Sequence, residues 1–254
     1  MKILAITNNK GGVAKTTSVQ NIGAAFEQLG KKVLLVDLDP QGNLSSSFGI
    51  DIDNLDKTVY DAMKDRDANK YIIKISDKLH ILPSNLILEK ANIEFSSLPV
   101  RELILDKTLK SLTEKYDICM IDTSPSLSLL TTNAISCADS VYIPVKAGFF
   151  EMKGSKLLID LINELKNDIN QKLEIKGIFI TQYDARTNIS QAVIDAIDKN
   201  MPNKLLKTRV RNNVALVEAP ASASNIFEYS KSSNGSKDYM DLTKEILERE
   251  GINV

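Results

Sequence analysis

Asn8-Asn9-Lys10-Gly11-Gly12-Val13-Ala14-Lys15-Thr16-Thr17 follows an apolar run, Lys2 to Thr7, and precedes a stretch where Val19, Ile22, Phe26 and Leu29 recur at spacings of three and four. The run reads as a strand and the recurrence as an amphipathic helix ended by Gly30. A glycine pair after a strand is by itself only a turn. Joined to Lys-Thr-Thr at the start of a helix, it has the context that a phosphate-binding loop requires. Amides from Gly11 to Lys15 can converge on an anionic oxygen, and the helix N-terminus adds a favourable dipole. In this reading Gly11, Gly12, Val13 and Ala14 form the cradle, and Lys15 reaches the β- and γ-phosphates of ATP. The Thr16 hydroxyl would ligate Mg2+, and Thr17 would donate to the α-phosphate.

Working outward, short β-rich runs alternate with helical periodicity along the whole chain. That pattern predicts an α/β fold with one doubly wound, mostly parallel sheet and helices on both faces, a single domain spanning 1–254. Further strands are expected at Lys32–Asp37, Tyr116–Asp122, Ser140–Val145 and Ile175–Gln182, with weaker ones at Leu79–Leu82 and Leu205–Val210. Their near-continuous Val, Ile and Leu fits strands covered on both faces. Helices are expected after Pro83, after Pro99, around Leu127–Ser136, and over Glu151–Lys166, Ile189–Lys199 and Ser236–Glu250. The Ser-rich pieces Ser45–Ser47 and Ser230–Ser236 read as loops.

Composition excludes several classes. The 254 residues are 43% hydrophobic and 26% charged, so a sizeable core is available and disorder is not the default. A formal net charge of -1 gives no global positive field for nucleic acid, so any DNA contact must be a local patch. Cys119 and Cys137 lack metal-ligand spacing and sit in apolar stretches, which suits free buried thiols in a reducing compartment. His80, between Leu79 and Ile81, reads as an interior or edge imidazole and not a metal ligand. No run approaches the roughly 18 apolar residues of a membrane span, and the N-terminus is unlike a signal peptide, so a cytoplasmic location is expected.

A second acidic site sits at Ile118-Cys119-Met120-Ile121-Asp122, four apolar residues running into an aspartate. This is the form of a Walker B strand, whose carboxylate holds Mg2+ through water. Asn9 and Ala14 stand where the standard GxxxxGK[ST] pattern has glycines, and Lys10 is an addition.

A lysine at each end of the loop, Lys10 and Lys15, resembles the deviant Walker A motif of the ParA/MinD group of P-loop ATPases. The resemblance implies an ATP-bound homodimer in which Lys10 reaches the partner's nucleotide. Val36-Asp37-Leu38-Asp39-Pro40-Gln41-Gly42-Asn43 is similar to the family's second motif. It implies that Asp39 orients the attacking water and that Asp37 supports the Mg2+ shell. Catalysis would then rest on Lys10, Lys15 and Asp39. Thr181 to Asn188 and Val217 to Pro220 resemble the base-side segments and offer Tyr183, Asp184 and Pro220, although a tight turn and a loop proline explain the same residues.

The acidic polar face of the last helix differs from the basic membrane helix of MinD-like proteins, and Cys119 inside a strand is no cluster ligand. The closest resemblance is thus to ParA-type partition ATPases. It implies nonspecific DNA binding by the ATP dimer, release on hydrolysis stimulated by a ParB-type centromere-binding partner, and a nucleoid-associated cytoplasmic protein with no membrane contact. Lys207, Arg209 and Arg211 are the candidate DNA contacts, since an extended strand puts them on one face. A positioning or assembly switch on a protein or membrane scaffold, without DNA, is the alternative.

Overall fold

A computed structural model describes residues 1–148 and 152–253, with side chains described outside 149–155 and 254. The strands are β1 (Lys2–Ile6), β2 (Val33–Leu38), β3 (Ile73–Lys74), β4 (Leu79–Leu82), β5 (Ile118–Thr123), β6 (Ser140–Lys146), β7 (Glu174–Tyr183) and β8 (Leu205–Arg211). The helices are α1 (Lys15–Gln28), α2 (Asn43–Ser46), α3 (Val59–Asp65), α4 (Ala91–Glu94), α5 (Ile104–Leu109), α6 (Leu129–Cys137), α7 (Met152–Asp168), α8 (Asn188–Asn200), α9 (Ala215–Ala221), α10 (Ile226–Tyr229) and α11 (Asn234–Glu250).

Among the described residues the strands form one sheet in the order β3-β4-β2-β5-β1-β6-β7-β8, parallel except for the β3–β4 pair. The doubly wound parallel sheet expected from the sequence is therefore present. Alternate residues of β1 serve opposite layers. Leu4 and Ile6 pack with Val19, Ile22 and Phe26 of α1, whereas Ala5 packs with Ile135, Leu158 and Ile162. The chain moves from β1 to β2 on one side and later adds β6 on the other. The crevice beyond the C-terminal ends of β1, β5 and β6 is the place where such sheets bind ligands.

Gly23 lets α1 approach β2, since a Cβ there would stand 2.7 Å from a Leu35 methyl. α1 ends at Gln28 and Gly30 follows in a left-handed conformation (φ 85), as its glycine implied. α11 spans the same face. Tyr239 meets Ser18 of α1, hydroxyl to hydroxyl at 3.1 Å. Glu250 accepts from Tyr142 at 2.8 Å and Ser140 at 3.0 Å, while Arg249 donates to the carbonyls of Lys176 and Leu205. No described helix is long and apolar enough to cross a membrane.

Several local expectations need correction. Ser45–Ser47 is no loop: Asn43–Ser46 is a helical turn, held because Asp37 accepts from both the amide and the hydroxyl of Ser45. The stretches after Pro83 and Pro99 fold as short 3-10 and α pieces, and β3 and α3 lacked a periodic signal. Pro220 lies in the last turn of α9, where its missing N–H removes one i→i−4 bond and only Ala221 follows it in the helix. Glu151, the expected start of α7, lies outside the described residues. Cys119 and Cys137 are free and buried, and His80 is partly buried with Nδ1 2.7 Å from the Tyr116 hydroxyl.

Candidate nucleotide site

The loop between β1 and α1 is shaped by alternating backbone conformations. Gly12 (φ 71) and Ala14 (φ 61) are left-handed, and Val13 between them is not. Such alternation turns successive N–H groups toward one side and makes an anion-binding nest. Ala14 occupies the N-cap of α1. A left-handed alanine costs roughly 1–2 kcal/mol, which explains why glycine stands there in the standard motif. A Cβ added at Gly11 or Gly12 would meet no atom within 4 Å, so the cradle has room for a bulky anion.

The surroundings fix the loop. Asn8 Nδ2 donates to Pro144 O at 2.8 Å, and its Oδ1 accepts from Lys10 N at 3.0 Å. Lys15 Nζ donates to Lys10 O at 2.9 Å, across the base of the loop. From β7, Thr181 Oγ1 donates to Val13 O at 3.1 Å and Gln182 Nε2 to Gly12 O at 2.9 Å.

Three aspartates line the acidic side. Asp37 and Asp122 are register partners on β2 and β5, both fully buried. Thr16 Oγ1 donates to Asp122 Oδ2 at 2.7 Å, while Asp122 Oδ1 is buried with no hydrogen-bond partner among the described residues. Desolvation, reinforced by Asp37, raises the Asp122 pKa well above the carboxylate range, against the pull of Thr16 and Lys15. Burial pushes Asp37 up to about 6, opposed by its hydrogen bonds from Ser45. Burial also lowers the Lys15 pKa, opposed by Asp122 and Asp39.

An orphaned carboxylate oxygen beside a threonine hydroxyl is a suitable donor set for a hard cation such as Mg2+. Thr16 and Asp122 could hold it. The oxygens of Asp37 are engaged by Ser45 and the Asp39 amide, so its support of a metal shell is limited to its charge. Asp39 Oδ1 accepts from Gln41 N at 3.0 Å, which sets its carboxylate at the rim of a cavity of about 520 Å3 lined also by Gly11, Lys15, Thr16 and Pro220.

Residues 1–175 match the AAA domain family. The sporulation initiation inhibitor protein Soj of Bacillus subtilis is 40% identical over 247 residues, covering 96% of this chain and 98% of that one. The chromosome-partitioning ATPase Soj of Treponema pallidum is 36% identical over 252 residues, covering 98% of each. The chain belongs to the ParA-type family of partition ATPases. In structure this ParA-type chain also resembles cobyrinic acid a,c-diamide synthase from Mycobacterium smegmatis with bound ATP analog and magnesium. The TM-score is 0.88 at 29% identity, covering 99% of this chain and 96% of that one.

Other expected contacts of this ParA-type chain are distributed differently. Pro220 does line the cavity of the loop. Tyr183 and Asp184 do not: they line a separate depression with Arg186 and Arg211. Asp184 is closed by a bidentate pair with Arg186, at 2.9 and 2.7 Å, which lowers its pKa to about 2. The depression that adjoins the loop at Ala14 and Thr17 is lined instead by Gln182, Asn213 and Val217.

Lys207, Arg209 and Arg211, expected to share a face, differ in what they contact. The β7–β8 register shifts, with Ile178 opposite Leu205 but Ile180 opposite Arg209, while β8 itself keeps its alternation: Leu206 and Val210 pack beside α11 and Leu205 on the opposite layer. Lys207 is exposed, Arg209 folds back onto the carbonyls of Leu206 and Thr208, and Arg211 pairs with Asp238 at 2.6 and 2.9 Å.

Sequence reasoning missed Ser45, Thr181 and Gln182 as supports of the site. For the last two a signal existed, because two polar residues end an otherwise apolar strand on the ligand side of the sheet.

Proposed function

We propose that this chain is a Mg2+-dependent ATPase that works as a partition switch. It binds ATP on Lys10–Thr17, dimerises with Lys10 reaching the partner's nucleotide, and holds DNA nonspecifically as the dimer. A ParB-type partner stimulates hydrolysis and thereby releases it into a nucleoid-associated cytoplasmic pool. The observation that carries the reading is the nest at Gly12 to Lys15 set against Thr16 and the orphaned Asp122 oxygen.

In this proposal the amides of the nest and Lys15 bind the phosphates, and Thr17 adds an α-phosphate contact. Bound Mg2+ would supply charge neutralisation at the transferring group. Asp39, its rotamer set by the Gln41 amide, orients the water and accepts a hydrogen bond from it. A lone aspartate, with no histidine or glutamate base beside it among the described residues, suits slow turnover. Pro220 borders the base side.

Light scattering with ATP under conditions that block hydrolysis tests the switch, with Lys10→Ala alongside. The wild type should dimerise and the variant should not; a wild type that remains monomeric refutes the proposal. A second reading, a positioning or assembly switch without DNA, is favoured by the engagement of Arg209 and Arg211 within the fold. ATP-dependent gel shifts on random DNA at two salt concentrations separate the two readings.

A further inference from the structure

We infer that Gln182, together with Thr181, is a positioning residue that aims the amides of the phosphate cradle; the inference rests on the reading of the loop as a phosphate site. In a trans peptide the carbonyl of one residue and the N–H of the next point in opposite directions. Gln182 Nε2 holds Gly12 O at 2.9 Å, which directs the Val13 N–H to the other side of that peptide. Thr181 Oγ1 holds Val13 O at 3.1 Å, sharing its proton with Val145 O at 3.3 Å, and so directs the Ala14 N–H. Two successive peptide groups of the nest are thus fixed from behind by two successive side chains of β7.

Consecutive strand residues point to opposite faces. For Thr181 and Gln182 both to reach the loop, the strand must break its alternation, and it does. Gln182 is left-handed (φ 50), and the β7–β8 register shifts between Ile180 and Tyr183. A glutamine in that conformation costs on the order of 1 kcal/mol and persists only where its surroundings over-determine it. The contacts to Val13 and Gly12 are such surroundings. Preset amides need no reorganisation when an anion arrives, so the clamp raises affinity for phosphate groups in particular.

The test is calorimetric titration of Mg-ADP, and of magnesium pyrophosphate as competitor, into wild type and Gln182→Met, which keeps the length and loses the donor. Removing one hydrogen bond should weaken both ligands by roughly three- to tenfold, with the melting temperature nearly unchanged. Hydrogen exchange at the Val13 amide in nucleotide-free protein should accelerate in the variant. Should Gln182→Met not fold, Thr181→Val carries the same test. Equal affinity in wild type and a folded variant, or a loss confined to Mg-ADP, overturns the inference. A wild type that binds neither ligand overturns the phosphate-site reading instead.

Discussion

Asp37 and Asp122 stand opposite one another on neighbouring strands, in register and out of contact with solvent. Two ionised carboxylates in that position repel each other and lack hydration, so both hold a proton more tightly than an ordinary aspartate does. This sets the pH dependence of stability.

The folded protein binds protons on these groups more tightly than the unfolded chain, whose aspartates have ordinary values. Their stabilising contribution is therefore full below about pH 4 and is lost as pH rises through about 6, where Asp37 titrates. Urea unfolding of the nucleotide-free protein should show a loss on the order of 2 kcal/mol between pH 5 and pH 8. Asp37→Asn should flatten part of that slope. A wild-type profile that is flat or rises across this range contradicts the arrangement.

Ala14 carries a strained left-handed conformation at the N-cap of α1. Ala14→Gly relieves that strain, about 1 kcal/mol, while gaining unfolded-state freedom of similar size. Its unfolding free energy should stay within about 1 kcal/mol of wild type, whereas the β-branched Ala14→Val should lose clearly more. Equal stability of the alanine and valine forms would show that the conformation is not rigidly held.

At Gly42 (φ 61) a Cβ would stand 2.9 Å from Ser84 O, so neither the backbone conformation nor the space admits a side chain. Gly42→Ala should cost about 2 kcal/mol or more by chemical denaturation. Because Gly42 N donates to Asp39 O, ATP turnover should fall further than Mg-ADP binding. Full turnover in the variant would remove Asp39 from the catalytic role.

The cations of β8 should separate by experiment. Lys207→Ala should lower the salt dependence of DNA binding by about 0.9 in log–log slope for each phosphate that the lysine neutralises. Arg211→Ala should instead destabilise the fold by about 1 kcal/mol or more, because it leaves the buried Asp238 unpaired. Identical effects on DNA binding and none on stability would show that Arg211 contacts DNA as Lys207 does.

The loop, the Walker B strand and the doubly wound order were legible because each is written locally: apolar runs, a glycine pair, and a lysine and threonines at a helix start. The second layer of the site was not. Gln182 reaches Gly12 only because of a left-handed turn inside a strand, and Asp37 binds Ser45 across eight residues that showed no helical period. What Arg209 and Arg211 touch was not legible either, since the two-residue period says nothing of the carbonyls that hold Arg209 or of Asp238, which pairs with Arg211. The pairing of Asp184 with Arg186, two residues on in the same motif, was not legible from the motif alone.

The hydroxyl contact between Ser18 and Tyr239 joins residues 221 positions apart, and Arg249 and Glu250 tie the end of that same helix to β8 and β6. During synthesis the phosphate motif leaves the ribosome long before the helix that braces it. A nascent chain thus carries the phosphate loop for most of its elongation without the helix that braces it. Shortened products would keep the motif but lose the contacts that α11 makes with α1 and with the sheet.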